Sequence, residues 1–394
     1  MSRQRIHYLD WLKVLIVYGI LLFHSSLVFT TMPWLVSNRD HSTLLSAFAG
    51  FCFPWGIPAM FMIAGADAWF GLRSSTPRQF VWRRVLRLLL PMVVGLVVLS
   101  PYQRFITSHN PPPPMSQLPA FYINFFRTFT FEPHLSWIAK YWLHLWFLGY
   151  LFAISVVCLP LFIWLRRQIG IGFTGELVRL ANFRGGLFLI AAPLYLSQFI
   201  LRPFFPGYQD WADVATYTFV FAMGAILFSD RRFEAAILRD IPWILAIGVL
   251  SALGAALLLG SVGFSMTGVM HLPVPEQAAF TLFWSLDVWT WNLAVLYAGI
   301  RWLNSSGRVL TYANESVLPF YVIHHPVVLT VASLVVTWNL NLWPKFAIIV
   351  VLGYGTTLVL YDLGVRRWRL MRTIFGLGPK RQPVVEPQAA LSRA

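Results

Sequence analysis

The sequence predicts an all-α, polytopic membrane protein. Its 394 residues are 58% hydrophobic and 11% charged, whereas soluble globular chains carry about 25% charged residues. Long apolar runs alternate with short clusters of arginine, the pattern by which membrane proteins specify their spans and orientation. The net charge of +15 therefore reflects membrane topology, and we do not expect nucleic acid as a partner.

About ten apolar segments are long enough to cross a bilayer, whose hydrocarbon core requires about 20 residues per helix. The fifth and sixth are short, and Pro193 interrupts the fifth. The predicted spans are 9–31, 46–70, 85–104, 141–164, 185–201, 213–229, 241–262, 279–300, 315–336 and 344–365.

The distribution of positive charge predicts that both termini are cytoplasmic. With the N-terminus inside, most of the 30 Lys and Arg residues fall in cytoplasmic segments, as the positive-inside rule requires. The first apolar run carries charge and no small-x-small site follows it, so we interpret it as a permanent span rather than a cleaved signal. Residues 1–378 are predicted to form one membrane domain, and the Pro-, Gln- and Ala-rich residues 379–394 a disordered cytoplasmic tail.

The first span, "LDWLKVLIVYGILLFHSS", carries three ionisable residues on one stripe. Lys13 and His24 are 11 residues apart, about 20° past three full turns, and Asp10 lies one turn before Lys13. Intramembrane ionisable groups usually face a bundle interior or a water-filled cavity. Asp10 and Lys13 are either an ion pair snorkelling to the cytoplasmic surface or the mouth of a path. The deeper His24 is either a packing residue or a base suited to neutral pH.

Arg84 and Arg87, in "RRVLRLLLP", are three residues apart at the predicted cytoplasmic surface. Paired guanidinium groups suit the binding of phosphates. The alternative is that both are topology charges only, which is how we interpret Arg83.

Two further segments place polar and aromatic groups in spans. His144 and Trp146, in "HLWFLGY", lie near the outer surface, where aromatic residues also form an interfacial belt. His324 and His325 fall in mid-membrane, with Tyr321 one turn away. Because adjacent side chains on a helix point about 100° apart, we expect at most one of the two histidines to face any given cavity.

Single carboxylates at Asp67 and Asp287 lie in apolar runs and are candidate partners for a buried Arg or His. Cys52 and Cys158 lack metal-ligand spacing, and we predict no metal.

Five stretches together resemble the membrane-bound acyltransferase 3 family: "LDWLKVLIVYGILLFH", "FMIAGADAWFG", "RRVLRLLLP", "HLWFLGYL" and "SVLPFYVIHHPV". They carry a basic residue, ten residues and a His, here Lys13 and His24, followed by the R-x-x-R of Arg84 and Arg87. The family usually has Arg at the first position, and Lys keeps the charge but loses the planar fork. "HLWFL" and "IHHPV" are similar to the glucan biosynthesis protein C group, which is associated with succinylation of periplasmic glucans.

The resemblance implies an O-acyltransferase of the bacterial inner membrane. It would move acetyl or succinyl from cytoplasmic acyl-CoA to a hydroxyl of a cell-envelope glycan or glycolipid, with membrane lipid around it. His24 would be a general base, or would carry the acyl group itself. The implied catalytic residues are His24, Asp10, His144 and His324. The implied acyl-CoA contacts are Lys13, Arg84 and Arg87. The implied substrate contacts are Trp146, Tyr321, His325 and Asp67.

A competing interpretation is a proton-coupled transporter or a flippase for an envelope glycan or an anionic small molecule, since such proteins also bury His, Asp and Lys. The sequence lacks paired, Gly/Pro-broken helices in two matching halves, which argues against transport.

Overall fold

Long apolar helices dominate the computed structural model, which describes residues 6–109, 111–130 and 135–377. The predicted tail, 379–394, lies outside the described residues. The first nine helices are α1 His7–Leu27, α2 Thr43–Leu72, α3 Pro77–Arg84, α4 Leu90–Ile106, α5 Leu118–Arg127, α6 Ser136–Trp142, α7 Trp146–Val157, α8 Leu159–Leu165 and α9 Gln168–Asn182. The remaining nine are α10 Gly186–Leu189, α11 Ala192–Leu201, α12 Trp211–Leu227, α13 Arg232–Ser261, α14 Met266–Val269, α15 Val274–Trp302, α16 Arg308–Val335, α17 Leu342–Val359 and α18 Arg369–Ile374.

The described residues contain helices and no strand, which confirms the all-α, polytopic membrane fold. Each of the ten predicted spans falls on helical segments. Within the described residues, seven helical stretches are long and apolar enough to cross a membrane: His7–Leu27, Thr43–Leu72, Pro77–Ile106, Lys140–Val157, Arg232–Ser261, Arg308–Val335 and Leu342–Val365. The fifth and sixth predicted spans correspond to the shorter apolar helices Gly186–Leu201 and Trp211–Leu227, and the eighth lies within α15.

Glycine allows α2 and α12 to cross in close contact. A Cβ atom added to Gly65 would lie 1.9 Å from the carbonyl oxygen of Phe221, and one added to Gly224 would lie 2.0 Å from that of Met62. Small residues at such crossings let helix backbones approach closely inside a membrane. The two contacts are reciprocal, so this crossing fixes α2 against α12 within the bundle.

Helix α1 lies inside the bundle, in contact with α2, α15, α16 and α17. The hydroxyls of Tyr18 and Ser316 are 2.7 Å apart, and the Tyr354 hydroxyl donates to the Tyr18 carbonyl at 2.7 Å. Such interhelical hydrogen bonds satisfy polar groups that lipid cannot solvate. Hydrogen bonds at Tyr18 therefore hold α1 against α16 and α17.

A π-helix, Val85–Leu89, separates α3 from α4 within one continuous helical stretch. The stretch begins with a capping box in which Thr76 and Gln79 bond each other's backbone amides. π-Helical turns are rare and occur often at functional sites. Here the turn contains Arg87 and directly follows Arg84.

Candidate active site

Five charged residues gather at the end of the bundle where α1 begins, and we call them the basic mouth: Asp10, Lys13, Asp67, Arg84 and Arg87. The Lys13 ammonium lies 2.6 Å from the Asp67 carboxylate and 3.7 Å from that of Asp10. Both arginines interact electrostatically with Asp67. The group holds one more cation than carboxylates, so it favours an anion. The pairing also gives Asp67 the partner that the sequence left open.

The two arginines of the basic mouth are differently placed. Arg84 is half-buried, with its guanidinium carbon 5.1 Å from the centre of the Phe80 ring. Arg87 is exposed. Gly376, after α18, has a φ of +64° and packs on Arg87 so closely that an added Cβ would lie 2.9 Å from its Cα. One guanidinium is thus fixed by an aromatic ring, and the other is open to a ligand.

Four imidazole rings meet deeper in the bundle, and we call them the histidine cluster: His24, His144, His324 and His325. The His24 ring centre is 5.2 Å from that of His324 and 4.7 Å from that of His325. The His144 and His325 rings stack at 4.5 Å. The expectation that His324 and His325 would not share one site is wrong. Helix α1 and the 3₁₀ turn Leu143–Leu145 pack on adjoining faces of α16, so the cluster spans the 100° between the two side chains.

Hydrogen bonds fix the tautomers of His324 and His24. His324 Nδ1 lies 2.7 Å from the Tyr321 carbonyl and 3.2 Å from that of Phe320. A carbonyl only accepts, so Nδ1 carries the proton and Nε2 of neutral His324 carries a lone pair. His24 Nδ1, 3.1 Å from that Nε2, must donate its own proton to it. The Nε2 of His24 then carries a lone pair, and it makes no hydrogen bond within the described residues.

The other two histidines are oriented in the same way. The Gln103 amide donates to the Leu99 carbonyl at 3.0 Å, so its oxygen accepts from His325 Nδ1 at 2.5 Å. His144 Nε2 donates to the Val322 carbonyl at 3.0 Å. His144 Nδ1 is buried and has no partner among the described atoms. The Nε2 of His325 and the Nδ1 of His144 are therefore acceptors.

Accessibility separates His24 from the other members of the histidine cluster. His324, His325 and His144 are 0%, 4% and 5% exposed, whereas His24 is partly exposed. No carboxylate in the described ranges forms an ion pair with any of the four rings. The arrangement presents one accessible neutral base, His24 Nε2, backed by a hydrogen-bonded chain through His324 to backbone carbonyls.

Two predicted substrate residues lie beside the histidine cluster in different roles. The Tyr321 hydroxyl donates a hydrogen bond to the His144 carbonyl, so it supports the turn that carries His144. Trp146 packs against Tyr150 and Tyr217 at 5.1 and 5.5 Å between ring centres. Among the described residues the Trp146 ring contacts tyrosine and phenylalanine rings and none of the histidine rings, so it lies in an aromatic wall next to the cluster.

Sequence reasoning missed Gln103 and Trp34. Gln103 is fully buried and orients His325. Its sequence position could have indicated this role, because polar residues within a membrane span usually face other helices rather than lipid. The Trp34 ring centre lies 5.8 Å from those of His24 and His325. Trp34 belongs to the connection between α1 and α2, where no periodicity marks it.

The basic mouth and the histidine cluster are joined by the stripe of α1. Eleven residues separate Lys13 from His24, which is about 16 Å along a helix. Ile20 lies between them on the same face and is half-buried. No group of histidines, cysteines and carboxylates within the described residues is arranged to hold a metal ion.

Comparisons with known proteins indicate an acyltransferase. A family model described as an acyltransferase domain matches residues 6–362. "Glucans biosynthesis protein C" of Salmonella typhi is 24% identical over 98% of both chains, and that of Escherichia coli O139:H28 is 21% identical over 92% of both. No solved structure matches the chain. The matched range contains both the basic mouth and the histidine cluster, and it favours acyl transfer over transport.

Proposed function

This chain belongs to the membrane-bound acyltransferase 3 family, and from that premise we propose that it moves an acetyl or succinyl group from cytoplasmic acyl-CoA to a hydroxyl of a cell-envelope glycan or glycolipid. The observation that carries the proposal is the free Nε2 of His24, whose lone pair follows from the hydrogen bond to His324. The basic residues in the flanks of its spans support the bacterial inner membrane as its location.

The basic mouth is the proposed docking site for the donor. Coenzyme A carries several phosphate charges, which suit Arg84 and Arg87 as hydrogen-bond donors. Lys13, held by Asp67 and Asp10, adds positive charge at the start of the stripe. The pantetheine arm is long and thin and would pass along the face of α1 that contains Ile20, bringing the thioester to His24.

The proposed reaction is direct transfer with His24 as general base. His24 Nε2 takes the proton of the acceptor hydroxyl, and the hydroxyl oxygen attacks the thioester carbonyl carbon. The carbon–sulfur bond breaks, the ester forms, and the coenzyme A thiolate takes the proton from Nε2. His324 stabilises the transient imidazolium, because its Nε2 accepts from His24 Nδ1 while its Nδ1 donates to backbone carbonyls.

The acceptor is proposed to be a glucan or a related glycan. The relatives in Salmonella and Escherichia coli are named for glucan biosynthesis. The histidine cluster lies toward the end of α1, away from the basic mouth, so an acceptor from the opposite side of the membrane would meet His24 without passing the donor.

A transfer assay with purified protein tests the proposal. We would reconstitute the protein in lipid vesicles, supply radiolabelled acetyl-CoA or succinyl-CoA, and follow label in gluco-oligosaccharides and in total envelope glycolipid. We expect label in the acceptor together with release of one thiol per ester formed. Uptake or export of intact glycan without thiol release would instead support the transporter.

A further inference from the structure

Trp34 lies at the edge of the histidine cluster and takes no part in the reaction proposed above. Its ring is inclined by 19° to the His24 ring and by 85° to the His325 ring, with both centres 5.8 Å away. Trp34 is half-buried. Part of its surface is therefore available beside the partly exposed His24.

The segment that carries Trp34 is held firmly. The Asn38 and Ser42 amides donate at 2.8 Å to the carbonyls of Val28 and Phe29, at the end of α1. The Lys345 ammonium, on α17, donates to the Asn38 side-chain oxygen at 3.1 Å and to the Val336 carbonyl at 2.9 Å. Lys345 and Asn38 are 6% and 3% exposed. A buried cation is costly in a membrane protein, and here it holds Asn38, four residues after Trp34, to α17 and to the end of α16.

The position of Trp34 gives it access to the acceptor side. The segment comes after the C-terminal end of α1, whereas the basic mouth lies at the other end of that helix, about 16 Å from His24. Trp34 therefore lies beside His24 on the side away from the basic mouth.

The side chains around Trp34, His24 and His325 suit the binding of a sugar ring. Binding sites commonly combine aromatic surfaces with a few placed polar groups. A pyranose has a face of C–H bonds, which packs on an indole, and a rim of hydroxyls, which need acceptors. Next to Trp34 the cluster offers the lone pair of His24 Nε2 and that of His325, whose other nitrogen bonds Gln103.

We infer that Trp34 is a stacking platform for the acceptor: a sugar ring of the glycan packs on its indole, so that one hydroxyl reaches His24 Nε2. The assignment rests on the proposed function for the reaction at His24, but the binding itself is measurable without catalysis. Trp34 is a positioning residue, and it would set acceptor specificity rather than the rate of proton transfer.

The test compares Trp34→Ala, Trp34→Phe and the control Trp338→Ala. Trp338 is 47% exposed in the connection after α16, and no contact with the histidine cluster is described for it. Equilibrium dialysis of donor-free protein against labelled five-residue gluco-oligosaccharides, α- and β-linked, measures acceptor binding. Steady-state assays measure KM for acceptor and for acyl-CoA, and thiol release without acceptor measures hydrolysis by water.

Loss of the indole should weaken acceptor binding and raise acceptor KM about tenfold, the scale of one aromatic contact. The KM for acyl-CoA should stay within about twofold, Trp34→Phe should recover most of the loss, and Trp338→Ala should match the wild type. Unchanged oligosaccharide binding with faster thiol release would overturn the proposal, since Trp34 would then only exclude water. If Trp34→Ala does not fold, the comparison of Trp34→Phe with Trp34→Leu replaces it. Equal binding of gluco-oligosaccharide by these two variants would overturn the stacking role of Trp34.

Failure of the proposed function is a separate result. If the wild-type protein binds gluco-oligosaccharide through Trp34 but transfers no acyl group, the acceptor-binding role of Trp34 stands and the proposed acyl transfer fails. If the wild-type protein transfers the acyl group and the Trp34 variants do so equally well, the proposed acyl transfer stands and the acceptor-binding role of Trp34 fails.

Discussion

The basic mouth and the histidine cluster differ in how they accommodate polar groups within one helical bundle: the first uses paired charges, and the second uses neutral hydrogen-bonded rings. The basic mouth keeps its charges and pairs them, with Lys13 shared between two carboxylates. The histidine cluster is built from neutral rings whose N–H groups end on carbonyls or on one another. Charge near the membrane surface attracts an anion at low cost, whereas a neutral base in the interior avoids the desolvation of a buried ion. The difference shows that charged and neutral polar groups are separated to opposite ends of α1, and the proposed function assigns donor binding to one end and proton transfer to the other.

The sharpest test of that division is His24→Ala. We expect transfer to fall about 10²- to 10⁴-fold, the usual contribution of a general base, with acyl-CoA binding unchanged. Membrane insertion and thermal stability of the purified variant serve as controls. Near-wild-type transfer by folded His24→Ala would remove the catalytic role.

The connection between the two ends is tested by Ile20→Trp. An indole on the shared face of α1 should obstruct the pantetheine arm and misplace the thioester, at a cost of about 100-fold in kcat, while desulfo-CoA still binds at the basic mouth. Leu15→Trp is the matched control, because Leu15 is 49% exposed and points away from the stripe. Equal effects of the two variants would mean that the donor takes another route.

The hydrogen bond behind His24 is tested by His324→Ala and His324→Gln. Loss of the partner should lower kcat about 10- to 100-fold, the range seen when a group that orients a metal-bound imidazole is removed. Glutamine retains an oxygen that accepts from His24 Nδ1 and an amide that donates to the backbone, so it should recover part of the loss. If kcat falls equally in both variants, the hydrogen bond that His324 accepts does not explain its contribution.

The arginines of the basic mouth should have a smaller effect, on binding rather than on chemistry. Arg84→Ala combined with Arg87→Ala should weaken acyl-CoA binding about tenfold at low salt and less at high salt, since exposed charge interactions are screened. Arg83→Ala is the control, because Arg83 is exposed on the same helix. A double variant that binds like the control would leave both arginines as topology charges.

Lys13→Arg should have the smallest effect. The substitution keeps the charge next to Asp67 and supplies a planar guanidinium, the group that the family resemblance implies for this position. We expect acyl-CoA KM to change by no more than about threefold, whereas Lys13→Met should destabilise the protein by leaving a carboxylate in the span without this cation. Thermal unfolding of the two variants in detergent measures the contrast.

The sequence allowed the helices and the first stripe to be predicted, because a bilayer forces apolar length and the 3.6-residue period places Lys13 and His24 together. It did not allow the contacts between segments to be predicted. The pairing of Lys13 with Asp67, the meeting of His324 with His325 and the contact of Gln103 with His325 all depend on how separate helices pack. Trp34 could not be predicted for the same reason, since its segment is held by the hydrogen bond between Asn38 and Lys345, about 300 residues apart in the chain.

The π-helical turn at Val85–Leu89 has a geometric consequence for both ends of the site. Such a turn holds one residue more than an α-helical turn, so it rotates the rest of the helix by about 100°. Arg84 and Gln103 are 19 residues apart, which in an unbroken α-helix would place them about 100° apart in azimuth. The extra residue therefore aligns Arg84 with Gln103, the hydrogen-bond partner of His325. Straightening this turn into an α-helix without removing a residue would rotate Arg84 and Gln103 about 100° apart, whereas deleting one residue within the turn would leave them 18 residues apart and still aligned. A one-residue deletion within this turn should therefore be tolerated better than a one-residue deletion in the α-helical part between the turn and Gln103.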